Sequence, residues 1–188
     1  MIGAHPIAGY AIVSADGMIA DANGVMPETI RNDADQRFLQ AALDRAAAVV
    51  HGRHSYEGGP RAPARKRLIV THSVAAIAPD ASHANSLLWN PAGAALENAL
   101  AALGIGDGSI AVIGGTAVFG LFLPYYDIFN LTTASRAIIP GGQPLFPRVG
   151  VQATVEQVLA GEGLRPTARR DLDATAGIAL TTWERGLG

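Results

Sequence analysis

The chain contains no cysteine. That absence excludes disulfides, zinc–thiolate centres and thiol nucleophiles together, and it fits a reducing compartment. Lysine is almost missing as well, since Lys66 stands alone among 14 cationic residues. The formal net charge of only -2 argues against a surface built for nucleic acid or anionic membranes. No apolar run approaches the ~20 residues that a membrane helix needs. The stretch Met1 to Pro6 lacks the charged and apolar regions of a signal peptide. These absences together set the expectation of a soluble, cytoplasmic protein. Neither a Ser/His/Asp order nor a paired-carboxylate spacing stands out, so a hydrolase reading has no anchor. His51 and His54 lack companion ligands, and no metal is expected.

What is present suits one α/β domain spanning 1–188, large enough to bury roughly 70% of the surface of its unfolded chain. Short β-rich runs alternate with Ala-rich helical stretches. Ile7–Ser14 reads as a buried first strand, and Ala15–Thr29 as a Gly/Asp/Asn/Pro loop. Asn32 or Asp33 caps a helix predicted to run to about Ala47, with Phe38, Leu39, Ala42, Leu43 and Ala46 on one face. Strands follow at Ala48–His51, Leu68–Thr71 and Leu87–Trp89. Pro91 opens a helix over Ala92–Leu103. Ile110–Ile113 is a strand, a helix runs through about Leu123, and Ile128–Ala134 is the next strand. Leu164–Asp171 and Gly177–Glu184 form a closing hairpin, with Ile178, Leu180 and Thr182 on one face. The pattern predicts a mostly parallel central sheet flanked by helices, finished by an antiparallel C-terminal edge.

Two glycine turns after predicted strands are the best site candidates, because ligands of open α/β sheets bind outside the carboxyl ends of strands. Gly114-Gly115-Thr116-Ala117-Val118-Phe119 lets a backbone approach a phosphate or flat ring and aims helix N–H groups at the same place. A tight strand–helix connection is the plain reading of the same turn. Gly52-Arg53-His54-Ser55 offers a guanidinium, an imidazole and a hydroxyl suited to a phosphate, or simply a surface arginine and a helix cap. The basic stretch Arg61 to Arg67 has no interleaved aromatics, so a nucleic-acid patch is not expected. It serves either as a solvated loop or as an anchor for a substrate carboxylate or phosphate.

Taken in order, these pieces resemble dihydrofolate reductase over roughly residues 7 to 147. Ala15 to Pro27, with its Met26-Pro27 ending, resembles that family's mobile active-site loop. Val49 to Glu57 resembles its strand and Gly-Arg-x-Thr/Ser-x-Glu cofactor turn. Arg61 to Ser73 resembles the Pro-containing loop and the strand after it. Val112 to Phe119, Leu123-Pro124, Asp127, Leu131-Thr132 and Phe146-Pro147 match the closing pattern.

The resemblance implies a dihydrofolate reductase-like fold and an NADPH-dependent reductase acting on a C=N bond of a pterin such as dihydrofolate. It implies that Gly52, Arg53, His54 and Ser55 hold the NADPH phosphates, with Thr71, His72 and Ser73 near the adenosine end. Gly114, Gly115, Thr116, Ala117, Val118 and Phe119 would line the pyrophosphate and nicotinamide region, bordered by Ala11, Asp16, Gly17 and Met18. Counting from Met26-Pro27 makes Asp33 the acid beneath the pterin, linked to Thr132, whereas the spacing to Phe38 makes Asp35 its rival. Arg65 would bind a substrate carboxylate, and Phe38 would contact the substrate. The family often has an aromatic residue after Met-Pro, and here Glu28 stands there. Ser14 to Gly17 and Arg31 to Phe38 also resemble the reductase domain of riboflavin biosynthesis. That domain implies a ribosylamino-pyrimidine substrate and leaves a homodimer open. A nucleotide-binding protein without catalysis is the alternative of another class.

Overall fold

The computed structural model describes residues 5–55 and 58–186. The Tyr56-Glu57 end of the first glycine turn lies outside the described residues. Eleven strands are present among those described: β1 (Ile7–Ser14), β2 (Met18–Ala20), β3 (Ala48–Gly52), β4 (Arg67–Val70), β5 (Ile77–Pro79), β6 (Ser86–Trp89), β7 (Ile110–Val112), β8 (Ile128–Ala134), β9 (Gln143–Pro144), β10 (Leu164–Asp173) and β11 (Ile178–Arg185). Four α-helices accompany them: α1 (Asp33–Leu43), α2 (Leu96–Leu103), α3 (Thr116–Phe122) and α4 (Val155–Gly161).

Nine strands form one sheet in the order β10-β11-β8-β1-β7-β3-β4-β6-β5. The six from β8 to β6 run parallel. The flanks β10-β11 and β5 are antiparallel, so the sheet is mostly parallel with an antiparallel C-terminal edge, as the pattern predicts.

Side chains alternate between the two faces of the sheet with the two-residue period of a strand. Along β3 and β7, Val49 and Ala111 pack with Leu43 of α1 on one face. Ala48, Val50, Ile110 and Val112 join the larger core on the other, with Leu96, Ala99 and Leu100 of α2 and Val118, Phe119 and Phe122 of α3. Phe129, fully buried on β8, centres an aromatic group with Tyr126, Phe119 and Phe146 at ring separations of 5.0, 5.9 and 5.6 Å. Apolar runs in β3, β4 and β7 therefore reflect strands covered on both faces.

Several boundaries differ from the sequence reading. Helix α1 is capped by Asn32, whose side chain accepts from the Ala34 and Asp35 amides, and it stops at Leu43. Helix α2 begins at Leu96, not Ala92. Asn90 diverts the chain first: its side chain accepts from the Ala92 amide at 3.1 Å while its carbonyl takes the Gly93 amide at 3.0 Å. A Cβ at Gly93 would fall 1.8 Å from the Ala75 carbonyl oxygen, so the turn is pressed against a neighbouring segment. The 15–29 segment is not wholly loop, because Met18–Ala20 pairs with β9 in a second, two-stranded sheet. On β11, Ile178 and Leu180 are buried as expected, but Trp183 rather than Thr182 continues the core beyond them.

Candidate active site

A cavity of about 590 Å³ opens between α1 and the parallel strands. Its floor comes from the face of the sheet that α1 covers. Tyr10 and Ile12 of β1 stand beside Asn130 and Thr132 of β8, which the strand register places as direct neighbours. The side wall is helical. Asp35, Phe38 and Leu39 lie three and four residues apart, so one face of α1 presents all three to the cavity. Ile19, Met26 and Ile30 bring apolar surface from the segment between β1 and α1.

Asp35 is the chemically unusual group. It is 8% exposed, yet it carries a carboxyl. Burial pushes its pKa above the ordinary aspartate value, and a hydrogen bond from the Thr132 side chain offsets part of that rise. Asn32 fixes where this carboxylate sits. Its Oδ1 accepts from Ala34 and Asp35 at 2.9 and 3.3 Å, while its Nδ2 donates to Asp173 at 3.1 Å and ties the helix start to β10.

The count from Met26-Pro27 selected Asp33, and the structure corrects that placement. Asp33 is the first residue of α1, is exposed, and is not among the residues lining the cavity. Two residues correspond to about 200° around a helix, so Asp33 and Asp35 cannot share a face. Thr132 lines the cavity, with its side chain beside the Asp35 carboxyl. Phe38 lines the cavity too, its ring 6.1 Å from Tyr10 and 5.2 Å from the Arg170 guanidinium.

Arg65 is corrected as well. It lies outside the lining of the cavity, buried, with its Nη2 2.7 Å from Asp44 Oδ1 and 2.7 Å from Gln40 Oε1. Its charge is engaged by α1 itself.

The two glycine turns meet. The Gly52 amide donates to the Gly114 carbonyl at 2.7 Å, so the carboxyl ends of β3 and β7 form one backbone-lined recess. His54, Ser55, Gly115 and Phe119 open it to the cavity, together with Ala11. A Cβ at Gly115 would stand 3.4 Å from Ser55 Oγ, and one at Gly114, whose φ is +111°, would stand 2.6 Å from the Phe119 ring. The Gly114–Gly115 peptide is cis.

Not every predicted cofactor residue faces this recess. Val118 is core, and the Thr116 hydroxyl donates to the Pro144 carbonyl at 2.5 Å. Ala117 and Arg53 are exposed. Thr71 and Ser73 form a local turn in which the Thr71 hydroxyl accepts from the Ser73 amide at 3.1 Å, and His72 is exposed beside them.

Asp16 and Gly17 line a separate hollow of about 430 Å³ against Val149 and the start of α4. Asp16 acts there as a clamp. It accepts from Ser14 Oγ at 2.5 Å and from the Ile139 amide at 3.1 and 3.2 Å. Met18 is buried in β2.

Sequence reasoning missed Asn23, Gln36, Asn130 and Gln143, all of which border the cavity. Gln36 follows Asp35 on a helix already recognised, and Asn130 is two residues before Thr132. Gln143 reaches the cavity through the pairing of β9 with β2, for which the sequence carries no local signal.

The model of the dihydrofolate reductase family matches residues 7–157. No curated protein matches the sequence. Among solved structures, a putative riboflavin biosynthesis protein from Shewanella sp. PV-4 is 20% identical with a TM-score of 0.65, the match covering 97% of this chain and 99% of that one. Dihydrofolate reductase from Enterococcus faecalis, complexed with NADP(H) and RAB-propyl, is 17% identical with a TM-score of 0.64, covering 96% of each chain. A diaminohydroxyphosphoribosylaminopyrimidine deaminase/5-amino-6-(5-phosphoribosylamino)uracil reductase from Thermotoga maritima is 15% identical with a TM-score of 0.67. That match covers 97% of this chain but only 57% of that one. At these identities the likeness is one of fold.

Proposed function

Since the chain belongs to the dihydrofolate reductase family, we propose that it is an NADPH-dependent reductase of a pterin, with Asp35 as the acid beneath the substrate ring. The observation that carries this reading is the buried carboxyl of Asp35, hydrogen-bonded to Thr132 beside the cavity floor. A carboxyl held in that way suits a ring bearing adjacent N–H donors, as an aminopyrimidine edge does.

The cofactor recess fits the group the family implies. Gly115 lines the cavity without a side chain, the Gly52 amide donates to the Gly114 carbonyl beside it, and His54 and Ser55 add polar atoms at the entrance. Those residues would hold the phosphates and nicotinamide, with Arg53 outside them for the remaining charge. NADPH supplies a hydride when bound.

The chain's own residues do the rest. Phe38, Ile30 and Leu39 hold a flat ring against the floor and exclude water. The raised pKa keeps the Asp35 carboxyl protonated to higher pH than a free aspartate, so a proton is available for the nitrogen of the C=N bond as its carbon accepts hydride. Thr132 fixes the carboxyl's orientation.

The test is NADPH consumption by the purified chain with dihydrofolate, and in parallel with 5-amino-6-(5-phosphoribosylamino)uracil. Oxidation of NADPH in the first reaction, slowed ~10²–10⁴-fold by Asp35→Asn, is the expected result. Turnover of the pyrimidine alone would move the assignment to the riboflavin-type reaction. NADPH binding with no turnover of either would overturn catalysis altogether.

A further inference from the structure

The rim of the cavity has a different character from its floor. Three carboxamides border the cavity from three separate segments: Asn23 between β2 and α1, Gln36 on α1, and Gln143 on β9. Each is exposed, and each can donate and accept hydrogen bonds at once. Hydroxyl groups have the same dual capacity, so carboxamides pair with them without a charge on either side.

Arg31 at the rim and the buried Arg65 beside it each hold an acid. Arg31, the arginine among the described lining residues, donates to Glu28 and, at 3.4 Å, to the Met26 carbonyl. One helical turn beyond Gln36, Gln40 accepts from Arg65, whose guanidinium also pairs with Asp44 at 2.7 Å. Arg65 is 6% exposed, so an anionic ligand would have to displace both partners of a buried cation to reach it. A carboxylate or phosphate arriving at the rim therefore meets a carboxamide surface, with Arg31 and Arg65 already holding acids and Arg170 lying over the Phe38 ring.

We infer that the substrate carries a short, uncharged, hydroxyl-bearing side chain on its ring, and that Asn23, Gln36 and Gln143 recognise it. This rests on the reading of the cavity as a pterin site and names the class of pterin it takes. The site selects a polyol-type substituent over one ending in a carboxylate or phosphate.

The test is calorimetric binding to the full chain with NADP⁺ present, comparing the bare pterin ring, biopterin, neopterin phosphate and folate. Biopterin is expected to bind at least ~10-fold more tightly than either anionic ligand, and more tightly than the bare ring. Gln36→Leu is expected to weaken biopterin by ~3- to 10-fold, the size of one hydrogen bond, and to leave the bare ring and folate unchanged. Folate or neopterin phosphate binding as tightly as biopterin would overturn the inference while leaving the pterin reading intact. A Gln36→Leu variant that binds all four ligands as the parent does would also overturn it. Failure of all four ligands to bind would instead remove the pterin reading itself, and the inference with it.

Discussion

Replacing Asp35 with asparagine should move activity and stability in opposite directions. In the folded chain this carboxyl has a raised pKa because burial penalises its charged form more than the Thr132 hydrogen bond favours it. A group whose pKa is higher folded than unfolded adds stability below its unfolded pKa, and that contribution is lost as pH rises through the folded value. The parent protein therefore bears the cost of the buried charge increasingly as pH rises through that folded value. Asparagine has almost the same shape and never ionises. A domain of this size gains about 2–4 °C in Tm per kcal/mol of stabilisation. Asp35→Asn should thus gain in Tm over the parent as pH rises, by about 2–4 °C for each kcal/mol that the buried charge costs. Its advantage should shrink to nothing as pH falls below the carboxylate range. Turnover should drop by ~10²–10⁴, the loss typical of a missing proton-transfer group, or about 2.7–5.4 kcal/mol in the barrier. The assay is thermal unfolding of both proteins from about pH 4 to pH 8, beside NADPH oxidation with dihydrofolate at pH 7. Parallel Tm–pH curves for the two proteins would refute the argument that burial, rather than pairing, dominates at Asp35.

Thr132→Val removes the hydrogen bond that favours ionised Asp35, so the carboxyl pKa should rise further; the limb of the pH–rate profile on which activity falls with rising pH should shift to higher pH. Gly114→Ala forces a side chain into a φ of +111° and to within 2.6 Å of Phe119, and should cost about 1–3 kcal/mol, read as a lower urea midpoint. Phe129→Ala empties the centre of the aromatic group and should cost about 3–5 kcal/mol, lowering Tm by roughly 10 °C without moving the Asp35-dependent pH effect. Thr154→Ala breaks the capping box with Gln157 at the start of α4 and should cost about 1 kcal/mol by the same denaturation assay.

The sheet was legible because its central strands are buried on both faces and read as continuous apolar runs. Ile7–Ser14 and Ile128–Ala134 coincide with β1 and β8, and the final hairpin is offset by only a residue or two. Elements too short for a period were not legible. Strands β2, β5 and β9 have three, three and two residues, and they exist only because a partner lies beside them. Helix α4 is different, since Thr154 followed three residues later by Gln157 is a start signal present in the sequence. The end of α1 at Leu43 was obscured by Asp44 to Ala47, which carry good helix formers but turn toward β3.

The two candidate acids, Asp33 and Asp35, show how helical phase separates residues that a count along the chain leaves open. Counting along the chain from Met26-Pro27 treats a loop as a ruler, although insertions in loops cost little and shift every residue beyond them. The helix offers a stricter measure. Phe38, Leu39 and Ala42 define the inward face of α1, and stepping back three, four and seven residues from them reaches Asp35 each time. Asp33 is out of phase with all three and stays exposed at the first helical position. Arg65 fails for a related reason. Its place in the sequence resembles that of an anion anchor, but Gln40 and Asp44 approach it from α1, a partnership between residues some twenty positions apart. Where a side chain's role depends on which other element reaches it, spacing along one segment is no guide. Helical phase and the register of β1 against β8 are what bring Asp35 and Thr132 together.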